Sequence, residues 1–156
     1  MQLRLGLPAA KVRASHDADR PGTPFWGVGD VLAIVRPDDP EEKMLPFVAE
    51  LGGRVVGSGI VFVPLLDNVD KAYGELAVAP EVRGRGVGDL LVEHVLGLAR
   101  AEGRTLLLVE ANLPPDHDGD HPIRRFAERH GFRLANQEVR RYLDLPVPEE
   151  RLQAWA

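Results

Sequence analysis

The chain has 156 residues, 44% of them hydrophobic and 28% charged, and no cysteine. It can therefore bury a core of its own, while disulfides, thiolate metal sites and a cysteine nucleophile are excluded. With 24 acidic against 19 basic residues the net charge is −5, so no global field draws the protein to nucleic acid or to anionic lipid. The expected class is one globular domain, and the lack of cysteine fits a cytoplasmic location.

Residues 1–30 are rich in Pro, Gly, Asp and small side chains without a sustained period, and read as loop with one short, weak helix around Ala9 to His16. The first apolar stretch is interrupted by Arg4 and Pro8, too short for a signal sequence and far below the about 20 residues of a membrane span. No membrane partner is expected. "HDADRPG", residues 16–22, reads as surface, with a substrate-side loop as the alternative.

"VLAIVR", residues 31–36, is a continuous aliphatic run ended by Pro37 and reads as a buried strand, with "PDDPEEKMLP" as the turn after it. Two further apolar runs flank Gly52-Gly53, a hairpin signal because short hairpin turns need positive φ, and predict strands at 47–51 and 54–64. "KAYGELAVAP" is a strand of about eight residues closed by Pro80. From Val87 onward, Val87, Leu90, Leu91, Val95, Leu98 and Ala99 fall on one helical stripe, and Gly103 supplies the stop.

"TLLLVEA" has the all-apolar character of a central strand covered on both faces, which gives the order β-β-β-β-α-β. After the long loop "NLPPDHDGDH", Pro122 suits a first helical position, and "IRRFAERHGF" is a short helix closed by Gly131. Strands at 132–136 and 139–145 complete a domain spanning 1–145, and residues 146–156 read as a linker or the opening of a helix.

The stretch "APEVRGRGVGDLL" carries the chemistry. A strand that stops, a turn with Gly84, Gly86 and Gly88, and a helix that starts at once make an anion site from backbone alone, because the first helical N–H groups lack partners and the helix dipole is positive there. Arg83 and Arg85 add full charges. A Walker A loop would need Lys-Ser or Lys-Thr where this chain has Gly88-Asp89, and the dinucleotide fingerprint would need glycine in place of Asp89. The device reads as a phosphate binder that fits neither.

The pattern Arg-x-x-Gly-x-Gly at Arg83, Gly86 and Gly88, preceded by "LAVAPEV" and followed by "TLLLVEAN" and "RRFAERHGF", resembles the GNAT superfamily of acyl-CoA-dependent N-acetyltransferases, and is similar to one half of actinobacterial tandem acetyltransferases. The resemblance covers residues 47–145. It implies a mixed α/β (α+β) fold with a mostly antiparallel sheet, flanking helices and a central splayed strand pair. It further implies acetyl-CoA as acyl donor and a small-molecule or peptide amine as acceptor, and it allows a homodimer.

By the same resemblance, the backbone from Arg83 through Gly84, Arg85, Gly86, Val87 and Gly88 to Asp89 holds the coenzyme A pyrophosphate. The strand edge at Leu76, Ala77 and Val78 pairs with pantetheine, a Val78 amide at a strand irregularity faces the thioester carbonyl, and Asn112 contacts the cofactor. Asp89 departs from the neutral or basic residue common in the family, since a carboxylate suits the helix dipole but repels a nearby phosphate unless it turns away.

An amine must lose its proton to attack, so a general base is expected. Glu75 is the candidate, on the strand face opposite Leu76 and Val78, with Tyr73 on its own face to orient it; the alternative is an ordinary exposed strand carboxylate. The family's tyrosine acid, four residues before the glycine of Gly131-Phe132, is Ala127 here. Water, Tyr73 or Tyr142 could supply the proton, or the chain is a weakly catalytic or non-catalytic acyl-CoA-binding module. A nucleotide-binding protein using the same corner is a remoter alternative. "DHDGDH", residues 116–121, fails the calcium-loop spacing, and His117 and His121 read as parts of a solvated loop, so no metal is assigned.

Overall fold

The computed structural model describes residues 2–4, 39–113, 119–139, 143 and 145–154. The chain forms two compact units, Met1–Leu113 and Pro114–Ala156. The sequence-predicted helix at 9–16, the loop at 16–22 and the strand at 31–36 lie outside the described residues.

The first unit is built on a sheet in the order β1 (Gln2–Arg4), β2 (Glu42–Leu51), β3 (Arg54–Pro64), β4 (Lys71–Val78) and β5 (Leu106–Val109). All neighbours are antiparallel except β4 and β5, which run parallel. A helix, α1 (Val87–Ala101), connects that parallel pair. This is the mixed α/β class expected from the sequence, and among the described residues no helix is long and apolar enough to cross a membrane.

The Gly52-Gly53 hairpin forms as predicted, with φ of 58° and 76°, the two positive values that a tight turn between twisted strands requires. β2 starts at Glu42 and not at 47, so the second half of the predicted turn is strand. Pro46 does not break it, because its opposite number Ile60 falls at a pair without mutual hydrogen bonds, where a missing N–H costs nothing. β1 is likewise an addition to the loop expected over residues 1–30: a short strand gains its stability from pairing with Val48, Ala49 and Glu50, which no local pattern reveals.

α1 buries Val87, Leu91, Val92, Val95 and Ala99 against the sheet. Leu90, placed on the predicted stripe, is 45% exposed, and Val92 takes its place. At 100° per residue Leu90 lies well off the centre of that stripe, while Val92 lies near its edge. The core also contains Phe47, Ala49, Val61, Val63 and Ala72. Gly103, at φ 72°, ends the helix as expected. Beyond it, Arg104 Nη2 donates to the Pro64 carbonyl oxygen at 2.8 Å and Nη1 donates to that of Val69, binding the α1–β5 turn to the β3–β4 loop. Lys43 Nζ meets Glu102 Oε1 at 2.6 Å and ties the start of β2 to the end of α1.

β5 corrects an expectation. It is four residues long, it is the edge of the sheet among the described residues, and Leu106 and Val109 are 45% and 39% exposed rather than covered on both faces. An apolar run specifies a strand without specifying its place in the sheet.

In the second unit, α2 (Pro122–Arg129) starts at its proline and is followed by Gly131 at φ 82°, as predicted. Residues 132–136, predicted as a strand, are irregular, and Leu134 is 73% exposed; β propensity without a partner ladder leaves no strand. The strand at 139–145 falls mostly outside the described residues. The tail forms the short α3 (Glu149–Gln153).

Candidate functional site

The site follows from how β4 uses its two edges. The Ala79 N–H donates to the Val56 carbonyl oxygen at 2.9 Å, which makes Val56–Ala79 a hydrogen-bonded pair. Antiparallel pairs alternate, so Ser58–Ala77 and Ile60–Glu75 are hydrogen-bonded as well, whereas Gly57–Val78 and Gly59–Leu76 are not. The backbone N–H and C=O groups of Leu76 and Val78 therefore point away from β3. On that side β5 accompanies β4 only from Lys71 to Gly74, so from residue 75 onward the strands part and, among the described residues, the edge has no partner strand.

The resemblance implied a central splayed pair; the pair is splayed but lies at the edge of the sheet among the described residues, and two further adjustments follow. Ala77 turns its backbone groups to Ser58 and offers none to the open edge. The β3–β4 ladder keeps its register through Val78, and the register shift lies instead between Ala49 and Glu50 on β2, so no irregularity of that ladder singles out the Val78 amide.

β4 ends in the corner. Pro80–Val82 is one turn of 3₁₀ helix, with Val82 N–H bonded to the Ala79 carbonyl oxygen at 3.0 Å. Arg83 Nε then donates to the Val78 carbonyl oxygen at 3.2 Å, folding the loop back on the strand end. Gly84 and Gly86 have φ of 72° and 80°, the left-handed conformation that a side chain resists. A Cβ on Gly84 would meet nothing within 4 Å, so this surface is open.

Gly86 is the N-cap of α1 and, as a glycine, supplies no side-chain cap to the first-turn N–H groups, which have no intrahelical acceptor. Val87 is 5% exposed and anchors the helix start in the core; Gly88 lies within α1 and not in the left-handed turn. Arg83 and Arg85 are exposed, and Asp89 is half-buried in the first turn. The corner thus brings together Leu76, Val78 and residues 83–89 in one continuous strip. Amides, a helix dipole and two guanidinium groups all favour an anion, and the extended edge beside them accepts a chain that carries amides of its own.

Tyr73 and Glu75 lie on the other face of β4. Gly74 faces Val95 of α1 and Leu107, so strict alternation directs Tyr73, Glu75 and Ala77 away from the helix. Both Tyr73 and Glu75 are exposed, and no hydrogen bond or ion pair joins them among the described residues. Tyr73 also borders an open pocket of about 410 Å³ whose lining includes Asp39, Glu41, Glu42 and Asp67. Burial pushes the Glu42 carboxyl up from its ordinary range, and Asp39 adds to the effect. Asn112 is half-buried beyond the end of β5.

In the second unit, Ala127 lies on α2. His121 Nδ1 accepts the Ile123 N–H at 3.3 Å, which makes it a helix cap. His117 and Tyr142 lie outside the described residues.

Sequence reasoning missed the glycines that set the sheet. A Cβ on Gly59 would lie 2.3 Å from Phe47 Cζ and 2.5 Å from the Glu75 carbonyl oxygen, and one on Gly57 would lie 3.0 Å from Leu91 Cδ1. The Phe47 ring occupies the space over Gly59 and meets His94 of α1 edge-on, with centroids 4.7 Å apart. Alternating glycines in "GSG" inside an apolar strand were the available signal of such close approach.

A sequence model of the acetyltransferase (GNAT) domain matches residues 43–134, which span β2, the corner and α2. The chain is 36% identical over 93 residues to the mycothiol acetyltransferase of Acidothermus cellulolyticus, covering 58% of this chain and 26% of that protein. It is 33% identical over 86 residues to the mycothiol acetyltransferase of Rothia mucilaginosa, covering 55% and 24%. It spans about a quarter of the length of these relatives. An aminoglycoside acetyltransferase from an uncultured soil metagenomic sample, solved with sisomicin, superposes with a TM-score of 0.61 over 86% of each chain at 20% identity, a likeness of fold. With the family model matched over more than half of its length, and on the segment that carries the splayed edge and the glycine corner, this chain belongs to the GNAT family of acetyltransferases.

Proposed function

We propose that the chain binds acetyl-CoA along β4 and the α1 corner and transfers the acetyl group to an amine of a small molecule. The observation that carries this reading is the continuity of two devices. The edge at Leu76 and Val78, where the Val78 carbonyl oxygen already accepts from Arg83 Nε, runs directly into the N-terminus of α1 at Gly86. A ligand with an amide-bearing arm and a diphosphate head matches both at once, whereas a nucleotide diphosphate alone uses only the second.

The residues present fit such a donor. The amides from Gly84 to Asp89, with Arg83 and Arg85, hold the diphosphate, and Leu76 and Val78 pair with the arm. Bound acetyl-CoA supplies an acetyl group activated as a thioester. Glu75, which shares the open part of β4, takes the proton that the attacking amine must lose, directly or through water. A small acceptor suits the relatives whose names point to mycothiol and to aminoglycosides.

A second reading, a weakly catalytic acyl-CoA-binding module, is favoured by Ala127 in the position of the family's tyrosine. Free coenzyme A released from acetyl-CoA, followed with a panel of small amines, separates the two. Amine-dependent release supports the transferase, and saturable acetyl-CoA binding with no release for any amine supports the module.

A further inference from the structure

Among the described residues, Ser58 is the one buried polar side chain, 4% exposed, and it stands within the apolar strand β3. The glycines on either side of it face α1 and the core: a Cβ on Gly57 would meet Leu91 and Val87 of that helix, and one on Gly59 would meet Phe47. Alternation therefore sends the Ser58 side chain to the opposite face of the sheet, the face of Glu75 and Ala77 on β4.

The register brings these side chains together. Ser58 pairs with Ala77 and Ile60 pairs with Glu75, so Glu75 is the diagonal neighbour of Ser58 on the adjacent strand. Such neighbours stand about 7–8 Å apart, a gap that a glutamate side chain and one water molecule span. Directly across from Ser58 lies only the methyl group of Ala77, beyond which β4 has no partner strand among the described residues. On its other side Ser58 pairs with Val48, which is buried and apolar.

The Ser58 hydroxyl makes no hydrogen bond with another described residue. Packing alone would be served by Ala or Val at this place, and burying a hydroxyl without a partner costs stability. A polar group kept there, one step from the proposed base, is suited to holding a water molecule that has the carboxylate as its second partner.

We propose that Ser58 is a positioning residue for the base: its hydroxyl and the Glu75 carboxylate together hold the water through which the proton of the attacking amine passes. The inference rests on the reading of Glu75 as the base. The water gives one proton to the carboxylate and takes one from the amine, so the net transfer is from nitrogen to Glu75. The nitrogen–carbon bond forms while the carbon–sulfur bond of the thioester breaks, and the sulfur of coenzyme A leaves with the electron pair. A hydroxyl suits the place because it both donates and accepts while adding no charge beside the carboxylate.

The test follows coenzyme A release from acetyl-CoA by the full chain, by Ser58→Ala, by Glu75→Gln and by the double variant, with the fastest acceptor of a panel of spermidine, glucosamine and lysine methyl ester. S58A should lower kcat about ten-fold, the scale of one hydrogen bond, while KM for the amine and Kd for acetyl-CoA stay within a factor of two of the parent. In single-turnover reactions at high enzyme concentration, S58A should cost nothing further in the E75Q background, because both changes disable one relay. The thermal midpoint of S58A should equal or exceed that of the parent, since no hydrogen bond between described residues is lost.

Parental kcat in S58A, in a protein whose E75Q variant has lost turnover, overturns the inference alone. So does a ten-fold loss repeated in the E75Q background or a lowered midpoint, either of which assigns the hydroxyl to the fold. Parental turnover in E75Q overturns the reading of Glu75 as the base and the inference with it, as does a parent that releases no coenzyme A with any amine of the panel.

Discussion

Arg83 Nε donates to the carbonyl oxygen of Val78 at 3.2 Å, so a cation of the glycine corner is tied to the last residue of the open strand edge. The two halves of the proposed donor site are thereby linked, and the two arginines of the corner should behave differently when removed. Arg83→Ala removes both a phosphate partner and this tie, so it should weaken acetyl-CoA binding by about ten-fold or more, the scale of one charge-assisted hydrogen bond, and also lower the thermal midpoint. Arg85→Ala should weaken binding with the midpoint unchanged. Calorimetric titration and a melting curve on each variant check the split.

Glu75→Gln keeps the shape of β4 and removes the proposed base. It should lower amine-dependent turnover by about 10²–10⁴-fold while leaving the acetyl-CoA dissociation constant within a factor of two of the parent. Equal turnover in the two proteins would return Glu75 to the ordinary exposed carboxylate that the sequence reading held as its alternative. Tyr73→Phe tests the neighbour in the same assay: with no hydrogen bond joining it to Glu75, its effect on turnover should be smaller than that of Glu75→Gln.

Gly59→Ala places a methyl group 2.3 Å from the Phe47 ring and 2.5 Å from the carbonyl oxygen of Glu75. Neither neighbour can yield cheaply, since one is among the largest fully buried side chains of the described residues and the other is backbone in the β3–β4 ladder. A loss of about 3 kcal/mol or more is expected, beyond the usual cost of one extra methylene, read from urea unfolding at constant slope. Gly84→Ala is the contrast: its Cβ meets no atom within 4 Å, so only the positive φ resists, at about 1–2 kcal/mol.

These contrasts also show what the sequence could reveal. Most of the corner was legible, because a prolyl strand end, glycines at defined spacing and an amphipathic helix are local signals, although Gly88 belongs to the helix and not to the turn and Leu90 lies off the buried stripe. The open edge was not legible from periodicity alone: that β5 leaves β4 after Gly74 is a property of pairing, and only the family resemblance implied it. Ala77 was grouped with Leu76 and Val78 because a sequence shows three consecutive residues, whereas an antiparallel ladder gives every second one to each edge. Pro46 misled in the same way, since whether a proline breaks a strand depends on which edge its missing N–H faces.

His94 makes the fold sensitive to acid. Burial lowers its pKa below the ordinary 6.5, so the unfolded chain binds its proton more readily than the folded one. Its contribution to stability is present above pH 6.5 and is lost as the pH falls through the depressed folded value. Glu42 acts in the opposite sense in the carboxylate range, because burial and Asp39 raise its pKa. The urea midpoint should therefore fall from pH 7.5 to pH 5.5, and His94→Leu should reduce that fall while the parent and variant keep similar slopes.

The central claim is that acetyl-CoA lies along the open edge of β4 with its head group on the α1 corner. Backbone amide spectra of the isotope-labelled chain, recorded with and without saturating acetyl-CoA, test it residue by residue. The account predicts saturable shifts at Leu76, Val78 and Gly84 to Asp89, with the amides of Leu76 and Val78 newly protected from hydrogen exchange and that of Ala77 protected beforehand by β3. Saturable binding that leaves these amides unshifted and unprotected would contradict it.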